Sequence, residues 1–144
     1  MTRIDFYLLS TRDPQSRRLM ACRLIEKAYR QGHRLWVRTE TAEETRELDD
    51  LLWTFRQGSF VPHECAAEIN EAPVLIGHGP PRPELADVLV NLGAGVPPGF
   101  EHFERVAELV DQDAAVKQAG RQRYRHYQAG DHPIHTHELD RLAG

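Results

Sequence analysis

The apolar positions of this chain change period several times, and each change marks an element. "RIDFYLL", from Arg3 to Leu9, alternates and then becomes continuously apolar, the pattern of a strand buried on both faces of a parallel sheet. Asp13-Pro14 follows as a helix start, with Asp13 as N-cap and Pro14 as first helical residue. Leu19, Cys22, Ile25, Ala28 and Tyr29 then recur at helical spacing up to a stop at Gly32. "RLWVRT", from Arg34 to Thr39, predicts a second strand. Thr41 and Glu44 have capping-box spacing and open a second helix, with Leu48, Leu51 and Leu52 as its buried stripe. "APVLIGH" and "DVLVNLG" predict two more buried strands on either side of the turn-rich "GPPRPE". "GAGVPPG" is a loop, because five of its seven residues are Gly or Pro. The segment from Phe103 to Val110 fits a helical period through Phe103, Val106, Leu109 and Val110. It also fits alternation through Val106, Glu108 and Val110, so strand and short helix both stay open. A final helix is expected from Asp113 to about Gln128, across Gly120. Residues 131–144 are polar and rich in histidine, and read as a mobile tail.

Strands alternating with helices predict an α/β fold, a mostly parallel sheet flanked by helices on both faces. The expectation is a Rossmann-like single domain over residues 1–130, which the length of 144 residues supports. Open sheets of this kind often bind nucleotides at the carboxyl ends of their strands, so the motifs for that chemistry matter. There is no GxxxxGK[ST], no GxGxxG after the first strand and no GxSxG. "GHG", Gly77 to Gly79, leads into two prolines rather than a helix, and so lacks the helix amides that hold phosphate. The domain is therefore expected to have no nucleotide site, no catalytic residues and no cofactor.

Composition narrows the classes further. The net charge is −4, which argues against a general nucleic-acid binder. No apolar run is long enough to span a bilayer, and "MTRIDFYLLSTRD" lacks the apolar core of a secretory signal. Cys22 and Cys65 are far apart with no CxxC, which speaks against zinc and a disulfide framework and for a reducing cytoplasm. His132, His135 and His137 have weak ligand spacing without a nearby Cys, so no metal is expected. His33, His63, His78 and His102 fall in predicted loops or element ends, where surface histidine is common.

Two stretches stand out. "WTFRQGSFVPH", residues 53–63, follows the second helix and reads as a loop, yet holds Trp53, Phe55, Phe60, Val61 and Pro62. Either its aromatics fold back onto the core, or they form a contact surface for a partner. "AAVKQAGRQRYRHYQAG", residues 114–130, carries Lys117, Arg121, Arg123 and Arg125 and no acid. Lys117, Arg121 and Tyr124 fall at i, i+4 and i+7 on one helix face. That face is either a solvated surface favourable near a helix C-terminus, or a site for an anion such as an acidic peptide.

On these residues the chain resembles the chi subunit family of bacterial DNA polymerase III. The likeness runs through "FYLL", "LDDLLWTFRQGSFVPH" and "VKQAGRQRYRHY", in order over nearly the whole chain. It implies a non-enzymatic accessory protein of the clamp loader, cytoplasmic, acting in DNA replication, and touching DNA only indirectly. It also implies two partner surfaces. Val110, Lys117, Arg121 and Tyr124 correspond to the surface for the C-terminal tail of single-stranded DNA-binding protein, an acidic tail ending in an apolar residue with a free carboxylate. Trp53, Phe60 and Pro62 correspond to the surface for the psi subunit of the clamp loader, or for a helicase. The rival readings are a small nucleotide- or phosphate-handling enzyme on the same scaffold, and a direct binder of single-stranded DNA.

Overall fold

In the computed structural model, which describes residues 1–68 and 70–139, every paired strand runs parallel to its neighbours. The strands are β1 (Arg3–Leu9), β2 (Leu35–Arg38), β3 (His63–Cys65), β4 (Val74–Gly77), β5 (Val88–Asn91), β6 (Arg105–Val110) and β7 (Ile134–Leu139). They form one seven-stranded sheet in the order β3-β4-β2-β5-β6-β1-β7. The helices are α1 (Pro14–Arg30), α2 (Ala42–Thr54) and α3 (Ala114–Ala129).

Both sheet faces are covered, as continuous apolar strands require. On one face Leu35, Val37, Val74, Ile76, Val88 and Val90 pack under Met20, Cys22 and Ile25 of α1 and Leu48 and Leu52 of α2. On the other, Ile4, Phe6, Trp36, Leu75, Leu89 and Val106 pack with Phe100, Phe103 and Tyr127, the last from α3. The segment left open between helix and strand is β6, its burial split between the two cores through Val106 and Val110 on one side and Ala107 and Leu109 on the other.

The local start and stop signals act as their chemistry dictates. The Asp13 side chain accepts from the amide of Gln15 at 3.0 Å. Gly32 supplies the left-handed conformation after α1, at φ 91°. The Thr41 hydroxyl accepts from Glu44 N at 3.2 Å, while the Glu44 carboxylate reaches back to Glu40 N at 2.9 Å, one residue beyond the usual box. Gly120 does not interrupt α3. A Cβ there would lie 2.8 Å from Val110 Cγ2, so glycine lets the helix approach β6 closely.

Two expectations are corrected. The predicted mobile tail begins too early, because Ile134–Leu139 form the edge strand β7, paired with β1 from Ile4–Ile134 to Leu9–Leu139. A polar strand with little apolar patterning gives a weak signal on its own; here the backbone of β1 supplies the partner. Residues 140–144 of that tail lie outside the described residues. The aromatic stretch is not all loop either, since α2 runs to Thr54 and takes Trp53 into its last turn.

One polar network sits inside the core. Glu108 on β6 and Arg123 on α3 have side chains 0 % and 2 % exposed, and pair at 2.9 Å. Tyr127 Oη donates to the same carboxylate at 2.6 Å, and Asn91 Nδ2 at 3.0 Å. Removing one partner of such a pair strands the other charge in the core. Glu108→Ala is therefore expected to cost about 3–5 kcal/mol of stability in urea denaturation, whereas exposed sites on α3 cost little.

Candidate functional site

The site on α3 follows from how the helix is anchored. Gly120, Arg123 and Tyr127 face the sheet and are buried. At about 100° per residue, Lys117, Arg121 and Tyr124 then lie on the flank where the helix turns away from the sheet. They meet Val110 at the end of β6, and Phe6 and Leu8 of β1, around a depression of about 350 Å³. All four residues that the sequence singled out thus line one cavity, together with Gln112, Gly120 and Thr136. Thr136 comes from β7 and was hidden by the tail reading. Gly120 helps to open the cavity by carrying no side chain.

Each side chain is held in a different way. The Tyr124 ring packs on Phe6, with centroids 5.3 Å apart and planes tilted by 55°. Lys117 Nζ donates to Gln112 Oε1 at 3.2 Å, and Gln112 Nε2 donates in turn to Leu9 O at 2.9 Å. Arg121 is exposed and makes no hydrogen bond or ion pair among the described residues. Its guanidinium can meet a carboxylate through two parallel N–H groups. Arg123, counted with the basic residues in the sequence, is withdrawn into the core by Glu108. The cavity therefore offers an apolar floor with Arg121 and Lys117 at its edge, suited to an apolar group that carries an anion.

The second surface lies at the far end of α2. Trp53 is 50 % exposed and Phe60 is 65 % exposed. Their ring centroids are 5.8 Å apart, and Pro62 beside them is half-buried. This exposure excludes the reading in which both rings fold into the core; of the apolar side chains in this stretch Val61 is buried, at 1 % exposure, and Phe55 packs partly against the core. His63, expected on the surface, is buried beneath Trp53, with ring centroids 4.4 Å apart, and bonds to Val61 O at 2.6 Å and Asp49 O at 3.1 Å. The loop is tied to α1 by Glu26, which accepts from Arg56 Nη2 at 2.6 Å and from Ser59 Oγ. The sequence shows Glu26 only as half of an i,i+4 pair with Arg30; its loop partners lie thirty or more positions away.

Among the described residues, one trio brings metal-type ligand atoms together: His33, Asp87 and Glu104 lie within 4.8 Å of one another. Asp87 is already engaged there, by His33 Nδ1 at 2.6 Å and by Arg34 N at 2.8 Å. At the carboxyl ends of the strands, Arg17 Nε donates to Leu109 O at 3.0 Å and Nη2 to Leu92 O at 3.2 Å. A guanidinium thus lies over the ends of β5 and β6, in the crevice where sheets of this type usually hold a ligand. No described helix is long and apolar enough to cross a membrane.

These features define an open, all-parallel α/β protein with an exposed aromatic pair at the end of α2 and a basic cavity beside α3 at the end of β6. Its overall shape is like that of the crystal structure of T4 UvsW, with a TM-score of 0.66 over 98 % of this chain at 9 % identity. The chain spans 42 % of that structure, and the likeness concerns the fold. Residues 1–135 match the family model of the DNA polymerase III chi subunit, HolC, and the chain belongs to that family. It is 42 % identical over 142 residues to DNA polymerase III subunit chi of Pseudomonas aeruginosa, covering 99 % of this chain and 100 % of that one. It is 28 % identical to the subunit of Haemophilus influenzae, over 84 % of this chain and 86 % of that one. With the subunit of Escherichia coli the identity is 29 %, over 81 % and 82 %. The chain is thus a chi-type accessory subunit of the DNA replication machinery.

The Glu26 clamp makes a prediction for the aromatic loop. Burial pushes the Glu26 carboxyl up, but hydrogen bonds from Arg56 and Ser59 and the charges of Arg30 and Arg56 outweigh it and hold its pKa below the ordinary value of 4.5. A lowered folded pKa means that the clamp is fully present above that value, and is lost as pH falls through the lower folded one. Glu26→Gln is expected to speed amide hydrogen exchange over residues 55–60 at neutral pH by roughly fivefold, because Arg56 is partly solvated. The parent protein loses the same protection on acidification; the variant shows no such step.

Proposed function

We propose that this chain is a non-catalytic adaptor that couples the clamp loader to single-stranded DNA-binding protein during DNA replication in the cytoplasm. The acidic C-terminal tail of single-stranded DNA-binding protein docks in the cavity beside α3. Its terminal apolar side chain enters between Val110 and the Tyr124 ring. Its terminal carboxylate meets Arg121, and the preceding aspartates meet Lys117 as a point charge. No bond is made or broken by this chain, which contacts DNA only through its partners. The observation that carries this reading is the convergence of Val110, Lys117, Arg121 and Tyr124 on one cavity with an apolar floor.

The second partner, the psi subunit of the clamp loader or a helicase, covers Trp53, Phe60 and Pro62. Large exposed aromatics dominate the binding energy of interfaces once they are desolvated. The two surfaces also sit far enough apart to be occupied together. Counting five strand spacings from β3 to β1 gives about 24 Å across the sheet. Further, α2 and α3 pack on opposite faces. That separation suits a bridge between two proteins better than a single composite site.

Calorimetry with a peptide copying the acidic tail tests the first surface. Arg121→Ala is expected to weaken binding by roughly tenfold to a hundredfold, the effect of losing hydrogen bonds to a charged group. Lys117→Ala costs less, and binding weakens as salt rises. Equal affinity of the parent and the Arg121→Ala variant would show that this face is only a solvated one. For the second surface, Phe60→Ala is expected to abolish capture of psi or a helicase in a pull-down. The thermal midpoint stays close to that of the parent, because the ring is largely in solvent already.

A further inference from the structure

Under the second half of α1 lies a cavity of about 320 Å³ that neither partner surface uses. Its inner end is closed by Val88, Val90 and Ala107 of β5 and β6, and its accessible apolar wall is Tyr7 of β1 and Leu24 of α1. Its rim carries the cations Arg3 of β1, Lys27 of α1 and Arg105 of β6, with His137 of β7 beside them. This cluster of basic side chains sits in a chain whose net charge is −4. The acid among them is Asp5, whose side chain is 0 % exposed.

Asp5 organises this rim rather than cancelling it. Its oxygens take Arg3 Nε at 3.1 Å, Arg105 Nε at 2.7 Å and His137 Nε2 at 2.9 Å. Arg105 also donates to Tyr7 Oη, and the Tyr7 ring stacks on His137 with centroids 4.7 Å apart and planes 13° from parallel. These contacts fix both guanidinium groups, yet leave Nη1 of Arg3 and of Arg105 without a hydrogen bond among the described residues. Lys27 Nζ has no partner among the described residues either. Two fixed, unfilled guanidinium donors beside an apolar wall suit an anion on an apolar body, and the ordering cost at binding falls mainly on Lys27.

We propose that this cavity binds a small organic anion, a carboxylate or phosphate ester carried on a flat apolar body. The anionic group lies between Arg3, Lys27 and Arg105, and the body lies against Tyr7 and Leu24. The volume is at the lower end of the range for small-molecule sites, so a ligand of about one ring with its charged group fills it. This site depends on β7, which brings His137 to Asp5, and is independent of the acidic-tail reading of α3.

The test is titration of the whole chain, followed by amide chemical shifts, with phenyl phosphate, inorganic phosphate and phenol. Phenyl phosphate is expected to shift the amides of Lys27, Val88 to Val90 and Arg105 to Ala107 saturably, and to bind about tenfold tighter than either fragment. Lys27→Gln is expected to weaken it about tenfold with an unchanged thermal midpoint, since Lys27 holds no internal partner. Any of the following results would overturn the proposal. One is the absence of saturable shifts up to about 10 mM. Another is equal binding of inorganic phosphate and phenyl phosphate, or of Lys27→Gln and the parent. The third is a response that maps to Val110 and disappears with Arg121→Ala, which would place the anion beside α3 instead.

Discussion

The buried pair of Glu108 and Arg123 is the constraint on which the outer half of the molecule depends. A carboxylate on a central strand would be costly alone, and burial does push the Glu108 carboxyl up. Arg123, Tyr127 and Asn91 all donate to it, and burial pushes the Tyr127 hydroxyl up as well. An apolar helix face could slide along an apolar sheet at little cost. A charge pair with this many directed bonds sets one register, at the expense of desolvation. Arg123 fixes the rotation of α3, and Gly120 fixes how closely it approaches Val110. With those two settled, Lys117, Arg121 and Tyr124 have one place left to go, at the lip of the cavity.

The aromatic surface rests on a similar division between buried polar anchor and exposed apolar group. Glu26 holds Arg56 and Ser59, His63 holds the backbone of Val61 and Asp49, and Val61 is the apolar plug between them. Trp53 and Phe60 are left in solvent by this arrangement rather than by an absence of structure. Rings presented on a fixed loop lose little freedom when a partner covers them. The chain thus presents two dissimilar surfaces, one basic with an apolar pocket and one aromatic, on opposite faces of one rigid sheet.

Much of this was legible in the linear sequence. Continuous apolar strands alternating with capped helices specify a parallel sheet covered on both faces, and the caps at Asp13 and Thr41 appear where the residue types demand them. Spacing alone placed Lys117, Arg121 and Tyr124 on one helix face. The motif likeness placed Val110 with them, and all four line one cavity. Clustered aromatics marked Trp53 and Phe60. These features are local, or are carried by motif, and a period of 2 or 3.6 residues is readable in a short window.

Other features are products of tertiary contact. Strand β7 has almost no apolar pattern and exists because β1 offers an unpaired edge to it. Arg123 looks like its neighbours Arg121 and Arg125 in sequence, and Glu108, fifteen positions earlier, together with the carbonyl of Ala94 turns it inward. Asp5 finds Arg105 and His137 a hundred or more positions away, and with them forms a cationic rim that no window of the chain contains. The sequence by itself determined strands β1, β2, β4 and β5, the three helices with the caps of the first two, and the residue types of the two surfaces. The tertiary structure decided which charges are buried, which are free and what each cavity holds at its rim, because those depend on partners brought together by the sheet order and not by the chain.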